Sequence, residues 1–575
     1  MKLKQTKLSA LVATLTVTAS LLTGCGGGSI HESAKVANGP TSQENAGLVV
    51  SSVTEGDLAA AIEKDDRIKV RVINANHGIF EVYGIEKEEL EKLLLKPSAK
   101  IQRNQFMRFQ NLEIMKATTG PELLATGIIT EKQAEAFVAP CVNNPTRRPN
   151  LKIAANGKRD LTNSGFLLTI GESITLDAAQ SRTSTGTTDL EIMWVMYPNS
   201  DSQLAAQFLI GGNLAFKPDT YGEYIYIAVA KDVNNFCTIS KDLVYVTDKN
   251  IPYDAANAMT TEQIAKVDMT RFWQLTSTQA IESWALSTGK DVVVAIIDSG
   301  VNYNHPALAA NIFVNKKEIA GNGKDDDGNG FIDDVTGYDF GNSDGFPFDD
   351  YGHGSHCAGI TASSVFGLAK NAKIMPIKVG TGPGIDVASV AGGIYYAVDN
   401  GAKVLSMSLG FELDAPALKS AIEYANQNNV VVIAAAGNGD SAGNGLDNDL
   451  APLFPASYDY PNVISVAATS VKNEITSYSN FGLKSVDLGA PGGDEVQLVL
   501  STYKPNPRNA GLMGMAGTSM ATPAVAGAAA QVLAKNPTML PKDLRLRLMN
   551  TGREALSLKG KTVSGKMLNS LSALK

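Results

Sequence analysis

Three short stretches of this 575-residue chain carry the side chains that nucleophilic chemistry uses. Asp298 closes the apolar run VVVAII and is followed by Ser299 and Gly300. His353 and His356 sit in GHGSHCAG. Thr518-Ser519 opens GTSMATPAVAG, a run so poor in side chains that it reads as a helix made for close packing. Taken alone, that hydroxyl pair is an ordinary helix cap, since a Ser or Thr before a helix satisfies its first amides. The upstream residues change the reading. A serine hydroxyl is a weak nucleophile until an adjacent base takes its proton, and the base needs a third group to orient it. A carboxylate, an imidazole and a hydroxyl follow here in the order Asp…His…Ser, each beside glycines that let a substrate backbone approach. Asn438, after VVVIAAAG, adds an amide at the end of another apolar run.

A second cluster points to ion binding. GNGKDDDGNGFIDDV packs Asp325, Asp327, Asn329, Asp333 and Asp334 around Gly328 and Gly330. Its opening Asp-x-Asp-x-Asn-Gly follows the calcium-loop template, in which oxygen ligands alternate and glycine allows a sharp turn. The twelfth position of that template is Thr336 rather than Glu, so the loop is not a complete EF-hand loop. Calcium is the expected ion.

These residues need a scaffold that holds strand ends together. From about residue 265, VVVAIID, KIMPIKV, KVLSMSL and VVVIAAAG are continuous apolar runs, as in parallel strands buried on both faces. Helical stretches such as VASVAGGIYYAVDNG and ALKSAIEYANQNN separate them. The pattern predicts an α/β domain over 265–575 with a doubly wound, mainly parallel sheet, whose ligands bind at the carboxyl ends of the strands.

DSGVNYNHPAL, GHGSHCAG, SMSLG, AAAGN and GTSMATP, in this order, resemble the subtilases over roughly residues 268–575. The resemblance implies a subtilisin-like fold and an endopeptidase working through an acyl-enzyme, with no cofactor for catalysis. It implies Ser519 as nucleophile, His353 as base and Asp298 as the group that holds the imidazole tautomer. Asn438 matches the side-chain donor of the oxyanion hole, beside the backbone N–H of Ser519. Ser408, Leu409 and Gly410 match the segment that pairs with substrate backbone, which implies extended polypeptide substrates. His356 and His305 match structural positions. Ser355 replaces a more usual Thr, and Cys357 reads as a buried thiol. The acidic loop is similar to inserts of many subtilases with a long first loop.

The chain has 50 basic and 58 acidic residues, a net charge of −8, and 44% hydrophobic residues. That balance describes a globular protein and excludes a general nucleic-acid binder, which needs basic patches. Lys2, Lys4 and Lys7 precede an apolar run over 8–22 that is too short to span a bilayer. Leu22-Thr23-Gly24-Cys25 resembles the bacterial lipobox, which implies cleavage after residue 24 and a diacylglyceryl anchor on Cys25. The expectation is an exported protein held in the cell envelope, at the outer membrane because Gly26 rather than Asp follows the cysteine. Cys141 and Cys237 are able to pair in an oxidising compartment, leaving Cys357 single.

Composition divides the rest. Residues 25–55 read as a Gly/Ser-rich tether. RIKVRVI, the turn Asn76-His77-Gly78 and IFEVYGI read as a hairpin, followed by a helix from Glu86 to Lys96 and a strand in AKIQRNQ. This α+β unit, 56–110, resembles a subtilase pro-segment. Residues 111–147 read as a linker, and FMRFQNLEIMKATTGPELLATG (106–127) as the place for a self-cut that releases the enzyme. Over 148–249, ITLDA, LEIMWVMY, YGEYIYIAVA and DLVYVT indicate a β-sandwich resembling the polycystic-kidney-disease type. The alternative function is a catalytically silent surface-binding protein on the same fold.

Overall fold

The computed structural model describes residues 47–108 and 149–575, apart from short stretches within them, the longest being 160–165, 199–206 and 504–510. Two compact units are present. One joins Met1–Leu112 with Pro252–Lys504 and Leu512–Lys575; the other is Glu113–Ile251 with Pro505–Gly511.

The first unit begins with β1 (Leu48–Ser51), α1 (Glu55–Ile62), β2 (Lys69–Asn74), β3 (Ile79–Tyr83), α2 (Lys87–Leu94), β4 (Lys100–Arg103) and β5 (Phe106–Arg108). The hairpin, helix and following strand lie where the sequence places them. The tether does not reach residue 55. LVVS is a fully buried strand in the order β2-β3-β1-β4, hydrogen-bonded to both β3 and β4. Leu48, Val50, Phe80 and Val82 pack with Leu58 of α1 and with Leu90 and Leu94 of α2.

In the other unit, β6 (Ala154–Ala155), β7 (Lys158–Arg159), β8 (Phe166–Thr169), β9 (Ile174–Asp177), β10 (Leu190–Pro198), β11 (Gln207–Ile210), β12 (Asn213–Phe216), β13 (Gly222–Asp232) and β14 (Cys237–Thr247) make two sheets. The orders are β11-β10-β13-β14-β8-β7 and β12-β9-β6. Their inward residues meet around Trp194, which is fully buried and donates its indole N–H to the Gly211 carbonyl at 3.0 Å. Burying an aromatic body while satisfying its one donor is what makes Trp an anchor here. Cys237 is disulfide-bonded; Cys141, like Cys25, lies outside the described residues.

The large sheet belongs to the first unit. It holds β15 (Val293–Asp298), β16 (Tyr338–Asp339), β17 (Lys373–Lys378), β20 (Val404–Met407), β21 (Val431–Ala435), β22 (Val463–Thr469), β23 (Leu488–Pro491), β26 (Arg553–Glu554) and β27 (Lys566–Met567). The intervening β18 (Gly380–Thr381) and β19 (Gly384–Asp386) form a separate small sheet with β5. The large sheet runs β16-β17-β15-β20-β21-β22-β23-β27-β26, parallel except at the last pair. Chain order leaves β15 toward β17 on one side and β20 on the other. The crevice at the carboxyl end of β15 is therefore the topological switch point, where open α/β sheets bind ligands.

The helices used below are α3 (His353–Ala362), α4 (Val387–Asp399), α5 (Pro416–Gln427) and α6 (Thr518–Lys535). α6 is buried from Thr518 to Leu533 and lies against β20 to β23. Small side chains permit this: a Cβ on Gly527 would come within 2.8 Å of Leu368 and 2.9 Å of the Thr361 carbonyl.

Candidate active site

Asp298 is the last residue of β15 and His353 the first of α3, and both are buried. Their side chains meet with His353 Nδ1 2.8 Å from Asp298 Oδ1. Glycine makes the approach possible. Gly352, just before α3, has φ 106°, a value L residues avoid. A Cβ on Gly354 would strike the Gly300 carbonyl and lie 3.0 Å from Asp298 Cβ. Burial lowers the His353 pKa, but the Asp298 carboxylate, with Cys357 beside it, overrides this and holds it well above the ordinary 6.5.

Asp349 braces the pair, and sequence reasoning missed it. Its Oδ1 accepts from Ser299 Oγ (2.9 Å), Tyr351 N (3.0 Å) and Gly352 N (2.7 Å). Its Oδ2 accepts from Ser355 N (2.7 Å) and Ser355 Oγ (2.6 Å). Ser299 Oγ in turn accepts from Gly354 N. One carboxylate thus ties the residue after Asp298 to the first turn of α3. Asp349→Ala is expected to lower thermal stability by roughly 2–4 kcal/mol, because several buried donors lose their acceptor. Calorimetry checks this; an unchanged melting temperature counts against the brace.

Ser519 stands in the first turn of α6, where a helix supplies no partner for its N–H groups. Its Oγ lies 3.2 Å from the Ser408 carbonyl. Pro523 explains the next feature. Four residues on from Ser519, it has no N–H to give the Ser519 carbonyl. That oxygen accepts from Ser408 Oγ at 2.8 Å and from the Cys357 thiol at 3.4 Å. The proline of GTSMATP therefore hands the serine's backbone to side chains of β20's following loop and of α3. Cys357 also lies 4.0 Å from His353 Nδ1, so α3 and α6 meet at the three groups of interest. Burial pushes the Cys357 pKa up, which keeps it a thiol.

Asn438 follows β21. Its Oδ1 accepts from both the N–H and the Oγ–H of Thr518 at 2.8 Å each. An N–H donor admits only oxygen, so the Asn438 Nδ2 group is the one left for another acceptor. Thr518, read in the sequence only as half of a hydroxyl pair, is what turns that amide. Leu409 is buried and Gly410 lies against Leu453, beside the paired Phe411 and Phe454. His356 Nε2 lies 3.1 Å from the Val499 carbonyl and 3.0 Å from that of Met513. Those carbonyls belong to β24 (Val499–Thr502) and β25 (Leu512–Met515). Burial holds its pKa down at about 3, so it stays neutral and structural. His305 Nδ1 accepts from Ala307 N, likewise a structural bond.

A buried acid–imidazole pair, a helix-borne serine and an oriented amide at one switch point match a known sequence pattern. A family model described as "Subtilase family" matches residues 289–568. Thermitase of Thermoactinomyces vulgaris is 37% identical over 281 residues, covering 48% of this chain and 85% of that protein. The chain belongs to the subtilase family. Subtilisin DY of Bacillus licheniformis is 34% identical over 269 residues, 46% of this chain and 84% of that one. The major intracellular serine protease of Bacillus subtilis is 36% identical over 262 residues, 44% and 72% of the respective chains. This subtilase is a serine endopeptidase of the subtilisin type, on a subtilisin-like α/β fold.

The acidic loop of the subtilase is only partly as expected. Asp325 and Asp327 come together with Glu318, each offering an oxygen within 4.8 Å of the others. Glu318 was not among the expected ligands, because it lies seven residues upstream of the motif. Asp333 is not one of this group; its oxygens accept from Asn322 N and Gly323 N. Asp334 is buried and accepts from Tyr396 Oη (2.6 Å), Asn329 Nδ2 (2.9 Å) and Asn315 Nδ2 (3.3 Å); burial pushes its pKa up to about 6. Asn329 Nδ2 is thereby committed as a donor to Asp334, while Asn329 Oδ1 accepts from Phe331 N at 2.8 Å. Of the five expected ligands, Asp325 and Asp327 are brought together, and Glu318 joins them.

The N-terminal sheet lies against α4 and α5. Arg71 donates to the Phe340 carbonyl at 2.8 Å and to Ser389 Oγ at 3.0 Å. His77 stacks on Tyr395 with centroids 4.2 Å apart, and its Nε2 is 2.6 Å from Asp399 Oδ2. Beyond this sheet β5 pairs antiparallel with β19, Arg108 opposite Gly384 and Phe106 opposite Asp386. The stretch expected to hold the self-cut, 106–127, thus begins as a strand. Its continuation beyond Arg108 lies outside the described residues.

Proposed function

We propose that Ser519 attacks the scissile carbonyl of an extended polypeptide while His353 takes its proton, Asp298 holds the imidazole, and Asn438 Nδ2 with the Ser519 N–H receives the oxyanion. The observation that carries this reading is the buried 2.8 Å contact of His353 with Asp298 on the helix whose Cys357 touches the Ser519 carbonyl. Ser408, Leu409 and Gly410 line one side of the bound chain. The acyl-enzyme forms as the Ser519 oxygen bonds to carbon and the amine leaves with the proton from His353; water then attacks the acyl carbon, His353 taking its proton and returning it to Ser519 Oγ as the acid leaves.

The unit from β1 to β5 acts as a pro-segment. Its antiparallel addition of β5 to β19 is the form that extended peptides take at a sheet edge, which supports a substrate-like hold. The lipobox at Cys25 supports export and a lipid anchor in the cell envelope, outer membrane favoured. Among the described residues no helix is long and apolar enough to cross a membrane. The sandwich, of polycystic-kidney-disease type on its sequence, lies between pro-segment and peptidase in the chain. Cutting beyond Arg108 separates the enzyme from Cys25, and a Cys141–Cys237 bond lies wholly on the released side. Wild type is therefore expected soluble and shortened, and Ser519→Ala full-length in the membrane fraction. A serine-directed phosphonate should label wild type and not Ser519→Ala. If both proteins stay full-length on the membrane, the N-terminal unit is no cleavable pro-segment.

Calcium fits the acidic loop. Glu318 is 9% exposed, its Oε1 accepts from Asp326 N and Asp327 N, and its Oε2 has no hydrogen-bond partner. An orphaned buried carboxylate oxygen beside two more carboxylates is costly without a cation. The donors are all hard oxygens, as calcium prefers. Glu318, Asp325 and Asp327 hold it, and its contribution is stability. An ion bound only to the native state at a hundredfold excess over Kd adds about 2.7 kcal/mol. Millimolar calcium should raise the melting temperature over that in EGTA; identical melting under both conditions removes the site.

A further inference from the structure

The tip of the β2–β3 hairpin touches the acidic loop. Asn76 Nδ2 donates to the Asn329 carbonyl at 2.7 Å, and a Cβ on Gly330 would lie 3.4 Å from the same nitrogen. Asn329 stands between the two halves of the cluster: its N–H donates to Asp325 Oδ1 and Asp327 Oδ1, while its side chain reaches Asp334. Asp334 is held by Tyr396, whose neighbour Tyr395 stacks on His77, one residue after Asn76. Loop, α4 and hairpin tip form one continuous set of contacts.

From this juxtaposition we propose that calcium in the acidic loop and docking of the N-terminal unit are thermodynamically linked, each strengthening the other through the Asn76–Asn329 contact. The inference rests on the readings of the loop as a calcium site and of residues 48–108 as a pro-segment. Without the cation, three carboxylates within 4.8 Å repel, and the backbone they hold through Gly328, Asn329 and Gly330 loosens. With it, the Asn329 carbonyl is fixed where Asn76 reaches it. A ligand shifts an equilibrium only by binding the two states differently, and the coupling is reciprocal. One hydrogen bond sets the factor at roughly 2- to 12-fold. Calcium therefore retains the unit before the cut, and departure of the unit weakens the calcium site of the mature enzyme.

The test uses full-length Ser519→Ala, stripped with EGTA and titrated with calcium chloride by calorimetry, with Asp325→Asn marking the heat that belongs to this site. Adding Asn76→Ala should raise that site's Kd roughly 2- to 12-fold. Hydrogen exchange over residues 69–83 should slow on calcium addition in the parent and not in the Asn76→Ala chain. Equal Kd and equal calcium-induced protection in the two chains overturn the coupling while leaving the calcium site standing. No heat sensitive to Asp325→Asn overturns the calcium reading and the coupling together.

Discussion

Replacing Asp298 by Asn is expected to leave the fold intact and to slow turnover about 10³- to 10⁴-fold, a magnitude familiar from serine proteases of another fold. The cause differs in detail here. Asp298 Oδ1 accepts from both His353 and the Ser299 N–H, at 2.8 Å and 2.7 Å. That backbone donor requires an acceptor, so a carboxamide keeps its oxygen toward the imidazole and the tautomer survives. What goes is the negative charge facing the imidazolium that forms as Ser519 is deprotonated. A unit charge at about 4 Å and an effective dielectric near 20 is worth about 4 kcal/mol, or close to a thousandfold.

The pH profile gives a second readout with its own sign. A general base works only when neutral, so activity rises with pH through the pKa of His353. Burial lowers that pKa, and Asp298 with Cys357 raises it, the net being well above 6.5. Wild-type kcat/KM should therefore climb on the alkaline side of the usual imidazole range. In Asp298→Asn the main raising influence is gone and burial remains, so the limb moves to lower pH while the plateau falls. A variant that keeps wild-type turnover, or whose limb moves upward, shows that Asp298 does not do this work.

The residues at strand ends were legible because parallel strands announce themselves as continuous apolar runs, and ligands gather where those runs stop. Asp298 and Asn438 needed only that rule, together with the short motifs around them. Asp349, Thr518 and Glu318 were not legible in the same way. Their roles come from hydrogen bonds to residues that only folding brings near, as Asp349 to Ser299, 50 residues away, and Thr518 to Asn438, 80 away. β1 escaped for a different reason. LVVS is four residues at the end of a Gly/Ser-rich stretch, and averaging over 25–55 hid an apolar run that is buried on both faces. β5 was hidden by the Gly, Pro and Thr that follow it in 106–127, which read as an extended stretch open to a cut although pairing with β19 draws its first three residues into a sheet. Spacing shows which carboxylates are close in sequence; it does not show which donors each one meets in the fold, as Asp333 meets Asn322 N and Gly323 N.

Asn438→Ala is expected to lower kcat about 10²- to 10³-fold, the loss measured when the corresponding donor of a subtilisin is removed. Its KM should change little, since the oxyanion exists only in the transition state and an interaction made only there leaves ground-state binding alone. The geometry argues that the loss comes from the missing donor and not from a collapsed site. Asn438 Oδ1 is held by Thr518 N and Thr518 Oγ1, and Thr518 Oγ1 also accepts from Gly437 N, so the amide is locked from behind. Asn438→Asp separates the two causes. The carboxylate still accepts both Thr518 donors and keeps the loop in place, but it presents an acceptor where the oxyanion develops. It should lose at least as much kcat as Asn438→Ala while melting as the wild type does. Thr518→Ala removes one of the two bonds to Oδ1, leaves the backbone N–H in place, and should cost less than either. If Asn438→Asp retains turnover within a fewfold of wild type, the oxyanion is received elsewhere and the bonds from Thr518 only fold the loop.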